Sequence, residues 1–210
     1  MNEGRPRRRR LSMIREFQLA DGITLLNGFA GMGAVLAAMK FLAEGEPGFL
    51  WLAFGLLPLS LVFDVLDGRV ARWRRKASPL GQELDSLADV VSFGVAPATL
   101  AFAMGMQGGW DALVLIYFVA CGISRLARYN VTASTLADET GKVTHFEGTP
   151  IPTSLVLVAL LAVLAAKGMV GERLPLGALH LGPWRFHPLV LLWALSGSAM
   201  ISRTLRIPKP

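Results

Sequence analysis

Six apolar segments, each close to the ~20 residues that an α-helix needs to cross a bilayer, make up most of this 210-residue chain. They lie at residues 22–43, 48–71, 83–106, 109–128, 150–169 and 186–203. Hydrophobic residues account for 53% of the chain and charged residues for 17%, compared with about 25% charged residues in a typical soluble domain. The sequence therefore predicts an all-α integral membrane protein with six transmembrane helices, and it excludes an ordinary soluble enzyme.

Basic and polar residues flank the apolar segments and divide the chain into three parts. Residues 1–20 form a basic N-terminal segment, residues 21–205 form the membrane domain, and residues 206–210 form a short cytoplasmic tail. Residues 11–19 are weakly amphipathic, which is typical of a helix lying on an anionic membrane surface, and a disordered basic tail is an equally good interpretation. The first apolar segment is too long for the core of a signal peptide, so we expect it to be retained.

Lysine and arginine are distributed unevenly between the two sides of the predicted bundle. Six precede the first segment, five lie between the second and third, three follow the fourth and three follow the sixth, whereas the opposite side carries four. Because positive residues are retained on the cytoplasmic side, both termini are expected there, in a cytoplasmic (inner) membrane. The same clusters explain the net charge of +6, so no nucleic-acid partner is expected.

Four aspartates interrupt the apolar pattern at the end of the second segment and the start of the third. Asp64 and Asp67 share one helical face, and Asp85 and Asp89 are only about 40° apart on the next helix. An aspartate at mid-membrane costs about 2.5–3.5 kcal/mol, so these side chains must face one another, water or metal. Hard divalent cations relieve such crowding, and two of them about 3.5–4 Å apart are suited to phosphoryl transfer. We therefore predict a metal-dependent site facing the cytoplasm.

Small residues accompany the aspartates on the second segment. Gly68 and Ala71 lie on the same face as the carboxylates and would leave room for a ligand against the helix backbone. For either residue alone, tight helix packing is the favoured interpretation. Arg72, one turn further on, is suited to bidentate hydrogen bonding with a phosphate.

Written as spacing, these residues read D-x2-D-G-x2-A-R-x8-G-x3-D-x3-D, which resembles the signature of the CDP-alcohol phosphatidyltransferases. Eight fixed positions over 26 residues are filled, and the six-helix layout is similar to that of the family. Within the family, residues 81–97, 125–130 and 146–152 resemble the phosphatidylserine synthase branch. Thr149 departs from that pattern, because the branch commonly has Leu at this position.

The resemblance implies a reaction in which L-serine attacks CDP-diacylglycerol, in a protein that forms a homodimer among membrane lipids. It implies that Asp64, Asp67, Asp85 and Asp89 bind two ions, Mg²⁺ or Mn²⁺, and that Asp89 also acts as the base. The contacts that it implies to the CDP-diacylglycerol headgroup come from Asp21, Gly22, Ile23, Thr24, Gly68, Ala71, Arg72, Ser78 and Gly81. Asp21 and Thr24 are also typical of residues at the start of a helix.

Several polar residues outside the signature have two interpretations. Arg125 and Arg128, at the end of the fourth segment, are candidates for binding the serine carboxylate, and they are equally typical of anchors on the cytoplasmic side. His145, His180 and His187 show no metal-ligand spacing, so we expect them at the surface.

Two alternative functions remain open on the sequence. The first keeps the reaction and replaces serine by inositol phosphate or glycerol phosphate, which would require further basic residues around the cavity. The second is a cation transporter or channel, which would distribute acidic residues across the depth of the membrane rather than in one leaflet.

Overall fold

A computed structural model describes residues 19–74, 79–136, 145–202 and 206–208 of the chain. The residues in these ranges form seven α-helices: α1 Leu19–Glu44, α2 Pro47–Arg74, α3 Pro79–Asp89, α4 Ala96–Ala103, α5 Gly109–Leu136, α6 Leu155–Ala166 and α7 Leu191–Ile201. A π-helical segment, Val90–Val95, joins α3 to α4 without a break. Short 3₁₀ turns precede α6 and α7.

Four helical stretches in the described ranges are long and apolar enough to cross a membrane: Ala20–Glu44, Pro47–Val70, Leu80–Ala103 and Gly109–Thr132. They confirm the prediction of an integral membrane protein. The last two apolar segments form the shorter helical stretches Ile151–Ala166 and Pro188–Ile201, so a count of six spans stays a prediction. The proposed interfacial helix falls mainly within residues 1–18, outside the described residues.

Four short strands qualify the all-α prediction. β1 (His145–Glu147) pairs antiparallel with β4 (Arg206–Pro208), and β2 (Leu179–Leu181) pairs antiparallel with β3 (Trp184–Phe186). Residues 206–208, predicted as part of a free tail, are thus paired with the connection between α5 and α6. Each strand has only three residues, which is too short to produce a recognisable alternation of apolar and polar residues.

Helix α1 is the central packing element of the first half of the chain. It lies against α2 along its length and against α3, the π segment and α4 on another side. Gly31 allows the second contact, because a Cβ atom added there would lie 2.7 Å from Cα of Ser92. At Gly28 an added Cβ would be in ordinary contact with Ala88, at 3.6 Å. Ser92 Oγ also donates a hydrogen bond of 3.0 Å to the Asn27 carbonyl. The π segment therefore joins α1 directly after Asp89.

A Gly31→Ala substitution should destabilise the protein, because the new methyl group would overlap both the hydroxyl and the backbone Cα of Ser92, and the backbone atom cannot rotate away. The expected loss is about 1–3 kcal/mol in the free energy of unfolding, as for other overpacked interiors. Thermal unfolding in detergent micelles measures it. Gly55→Ala is the matched control, since Gly55 is also helical and nothing lies within 4 Å of its added Cβ. Equal melting temperatures for the two variants would contradict the close approach of α1.

Candidate active site

Three of the four aspartates meet where α2 and α3 face each other. Asp64 and Asp67 lie near the end of α2, and Asp85 lies in the second turn of α3. One carboxylate oxygen from each residue lies within 4.8 Å of the other two. The predicted convergence of these three side chains is therefore present in the structure, and we call them the carboxylate cluster.

Helix α1 contributes a hydrogen-bond donor to this cluster. Thr24 Oγ1 lies 2.6 Å from Oδ2 of Asp67, whose side chain is buried, and 3.1 Å from the Ala20 carbonyl in its own helix. Because α1 begins at Leu19 in the described residues, Thr24 lies inside the helix rather than at its cap. Its hydroxyl holds Asp67 in one orientation.

Asp89 lies beside the cluster, one turn further along α3 than Asp85. It is 7% exposed and close enough to Asp64 and Asp85 to repel them electrostatically. Nδ2 of Asn27 donates a hydrogen bond of 3.1 Å to Oδ1 of Asp89. The site thus consists of a group of three carboxylates and a fourth that is held separately by an amide from α1.

Asn27 is a site residue that the sequence analysis did not identify. It is completely buried, although it belongs to a long apolar run. The available signal was its spacing from Thr24, because residues three apart lie on the same face of a helix. Its importance depends on how close α1 packs to α3, which a single sequence does not reveal.

The carboxylate cluster fits a divalent cation. Oδ1 of Asp85 is buried and makes no hydrogen bond among the described residues, so it is an acceptor oxygen without a donor there. A buried acceptor of this kind is costly unless a cation or donor satisfies it. Mg²⁺ and Mn²⁺ prefer such oxygen ligands, and like charges this close need a cation to offset their repulsion.

The residues that the resemblance implies as contacts to the donor headgroup differ in burial. Asp21 and Thr24 are buried on the inner side of α1, whereas Gly22 is exposed and Ile23 is half-buried. Gly68 and Gly81 are half-buried on α2 and α3. Ala71 and Arg72 lie in the last turns of α2, where their side chains are not described, and Ser78 lies outside the described residues.

Arg125 and Arg128, in the C-terminal half of α5, differ in burial. Arg125 is half-buried, its Nε atom makes no hydrogen bond among the described residues, and its guanidinium is within electrostatic range of Asp89. Arg128 is exposed. Asn130 Nδ2 donates a hydrogen bond of 3.0 Å to Ser86 Oγ, which holds the C-terminal half of α5 against α3.

The expectation that His187 lies at the surface is wrong. His187 is 4% exposed, and its Nδ1 lies 2.6 Å from Oδ2 of Asp111. Asp111 also accepts hydrogen bonds from the backbone N–H groups of Gly108 and His187, both 2.8 Å long. This pair connects the start of α5 to the segment before α7, far from the carboxylate cluster. The two residues are 76 positions apart, so sequence spacing gave no indication of the pair.

Comparison with known proteins assigns the arrangement to a family. The sequence model of the CDP-alcohol phosphatidyltransferase family matches residues 17–196. The chain is 46% identical to the CDP-diacylglycerol–serine O-phosphatidyltransferase of Saccharomyces cerevisiae, over 95% of the chain and 73% of the yeast protein.

Two further relatives carry the same name. The Helicobacter pylori protein is 43% identical over 67% of the chain, and the Methanocaldococcus jannaschii protein is 36% identical over 67% of the chain. The chain spans 58% of the length of each of these two relatives. The match to the family model covers most of the helices and all four aspartates, and the chain therefore belongs to the CDP-alcohol phosphatidyltransferase family.

Proposed function

We propose that the chain transfers the phosphatidyl group of CDP-diacylglycerol to the hydroxyl of L-serine, giving phosphatidylserine and CMP in phospholipid synthesis. The observation that carries this proposal is the convergence of Asp64, Asp67 and Asp85, with Asp89 beside them. Membership of the family supports the class of reaction. The names of the relatives, including one 46% identical, support serine as the acceptor.

The proposed cofactors are two divalent cations, Mg²⁺ or Mn²⁺. Asp64, Asp67 and Asp85 would hold them together with Asp89. When bound, the ions would neutralise the diphosphate of the donor and the charge that develops on departing CMP. Thr24 donates to Oδ2 of Asp67, which leaves the other oxygen of that carboxylate available as a ligand.

The headgroup of the donor is proposed to lie between the start of α1 and the facing ends of α2 and α3. The Thr24–Asp67 hydrogen bond supports this position, because it brings the first turns of α1 directly to the carboxylates. Gly68 has no side chain to fill the space next to Asp67. The proposed contacts to the nucleotide and diphosphate are Asp21, Gly22, Ile23, Thr24, Gly68, Ala71, Arg72, Ser78 and Gly81.

Asp89 is proposed as the general base. The serine hydroxyl attacks the phosphorus that carries the diacylglycerol, the bond from that phosphorus to CMP breaks, and the hydroxyl proton passes to Asp89. A free alcohol is a weak nucleophile at neutral pH, so a carboxylate must accept the proton as the new bond forms. The Asn27 amide holds Oδ1 of Asp89, which leaves Oδ2 to receive the proton.

Arg125 is proposed to bind the serine carboxylate. Its partly buried guanidinium lies near Asp89, and its Nε–H has no partner among the described residues, whereas the Arg128 side chain is exposed. The metals attract any anion, so selection of an amino acid requires a cation at a separate position. A guanidinium can bind a carboxylate through two parallel hydrogen bonds.

The proposed function includes an orientation of the protein in the membrane and an oligomeric state. Both termini and the active site would face the cytoplasm, in a cytoplasmic membrane, as the positive-inside rule predicts. The protein would act as a homodimer surrounded by membrane lipids. The concentration of carboxylates at one end of the helices disfavours a cation transporter, in which acidic residues would line the whole path.

An Asp89→Asn substitution should reduce kcat much more than it weakens binding of CDP-diacylglycerol, because a base acts only in the transition state. The expected loss of kcat is about 10²–10⁴-fold, the usual contribution of a general base. CMP release measures turnover, and binding of the lipid donor is measured separately. Asn27→Ala should also lower kcat, by a smaller factor, because it removes the amide that holds Asp89.

Thr99→Val is the control for loss of a polar group, since the Thr99 hydroxyl donates only to the carbonyl of Val95, one turn earlier at the end of the π segment. It should leave kcat unchanged. Equal loss of binding and turnover in Asp89→Asn would show that this residue is chiefly a metal ligand, and would contradict its proposed role as the base.

An Arg125→Leu substitution should raise the KM for serine and leave the affinity for CDP-diacylglycerol nearly unchanged, because it removes only the partner of the serine carboxylate. Arg128→Leu is the matched control and should leave the KM for serine near the wild-type value. The assay is CMP release from CDP-diacylglycerol with serine, inositol phosphate or glycerol phosphate as the acceptor.

For the wild-type protein, serine should release CMP fastest. Faster release with either phosphorylated alcohol would refute serine as the acceptor and leave the phosphatidyl transfer itself intact. An unchanged KM in Arg125→Leu would refute only the role of this arginine.

A further inference from the structure

The β2–β3 hairpin, between α6 and α7, has one apolar face. In its register Leu179 lies opposite Phe186, and Leu181 lies opposite Trp184. Side chains alternate between the two faces of a strand, so these four residues share one face. Phe186 packs against the protein core, whereas Leu179 and Leu181 stay 50% and 49% exposed. Nearby Leu176 is 72% exposed.

The opposite face of the same hairpin carries basic side chains. His180 lies opposite Arg185 in the strand register, and both side chains are exposed. The rest of the connection from α6 to α7 adds Lys167 and Arg173 against the single acid Glu172, all exposed. A face of this charge is complementary to anionic lipid headgroups.

The hairpin packs at the opposite end of α5 from the carboxylate cluster. Trp110, in the first turn of α5, meets Trp184 with ring centroids 5.3 Å apart and donates a hydrogen bond of 3.0 Å to the Leu181 carbonyl. Asn130, in the C-terminal half of α5, is hydrogen-bonded to Ser86, the residue after Asp85 of the cluster. The roughly 20 residues between Trp110 and Asn130 span about 30 Å of helix, the thickness of the hydrocarbon core.

The helices on either side of the hairpin are too short to cross that thickness. Ile151–Ala166 and Pro188–Ile201 contain 16 and 14 residues, or about 24 Å and 21 Å of helix. The connection between them must therefore cover the remaining depth to the membrane surface if α6 begins and α7 ends near the level of the cluster. A two-stranded hairpin has two open edges whose backbone groups need water or lipid headgroups as partners, so it is suited to the interface and not to the hydrocarbon core.

We propose that this hairpin lies in the lipid interface of the leaflet opposite the active site. Leu176, Leu179 and Leu181 contact acyl chains, and His180 and Arg185 face the phosphates of anionic lipids. The paired tryptophans 110 and 184 lie at the boundary between headgroups and hydrocarbon, where this residue type is enriched. The hairpin holds the short final helices at the correct depth.

Leu179 and His180 provide the test, because they are adjacent and both are exposed in the structure. Only contact with the membrane would make a reagent in water reach one of them more slowly than the other. The background is Cys121→Ala, which removes the one cysteine of the chain. Leu179→Cys and His180→Cys are compared in vesicles of phosphatidylcholine and phosphatidylglycerol that are permeabilised to the reagent. The rate of modification by a hydrophilic maleimide is measured. Glu46→Cys is the water-exposed control, since Glu46 is exposed in the turn after α1 at the same end of the bundle.

The thiol introduced at position 179 should react about tenfold more slowly than the thiol introduced at position 180, equivalent to about 1.4 kcal/mol of burial. Position 180 should react at a rate close to that of position 46. A fluorescent nitrobenzoxadiazole label at position 179 should also be quenched by doxyl-labelled phosphatidylcholine. Equal rates at positions 179 and 180 would overturn the proposal. Protection at position 179 without quenching would show that a second copy of the chain covers the leucines, which would also overturn it.

Discussion

Electrostatic repulsion among the carboxylates between α2 and α3 is the constraint on which the rest of the structure depends. Two unit charges 4 Å apart repel by about 4 kcal/mol at an effective dielectric constant of 20, and the oxygens of Asp64, Asp67 and Asp85 lie within 4.8 Å of one another. A membrane protein keeps such a group only where cations and hydrogen-bond donors offset the repulsion. Thr24 and Asn27 supply donors from α1, and the remaining oxygens are left for a divalent ion.

The position of α1 follows from this requirement. Thr24 and Asn27 reach the aspartates only because α1 approaches α3 and the π segment closely, and Gly31 permits that approach. The π segment begins immediately after Asp89, a common location for such segments near functional residues. Gly31 and the wider helical turn therefore act together to place two polar side chains of α1 beside four acids.

The sequence predicted the features that depend on residue type and helical period. Long apolar runs located the helices, and the spacing of Asp64, Asp67 and Asp85 was sufficient to predict their convergence. Features that depend on how the helices pack were not predicted. The Asn27–Asp89 hydrogen bond requires the distance between α1 and α3, and the difference between Arg125 and Arg128 requires the rotation of α5. The buried Asp111–His187 pair joins distant segments, and the strands are too short to leave a pattern.

The central claim is that the carboxylate cluster binds divalent cations that the reaction requires. The most direct measurement titrates the purified, chelator-treated protein with Mn²⁺, follows free Mn²⁺ by electron paramagnetic resonance, and records CMP release from CDP-diacylglycerol and serine at each point. The account predicts that CMP release is absent in EDTA and rises in parallel with bound Mn²⁺. It also predicts that Asp67→Asn and Asp85→Asn stay folded but lose both binding and turnover. Full CMP release in EDTA, or tight Mn²⁺ binding by both variants, would contradict it.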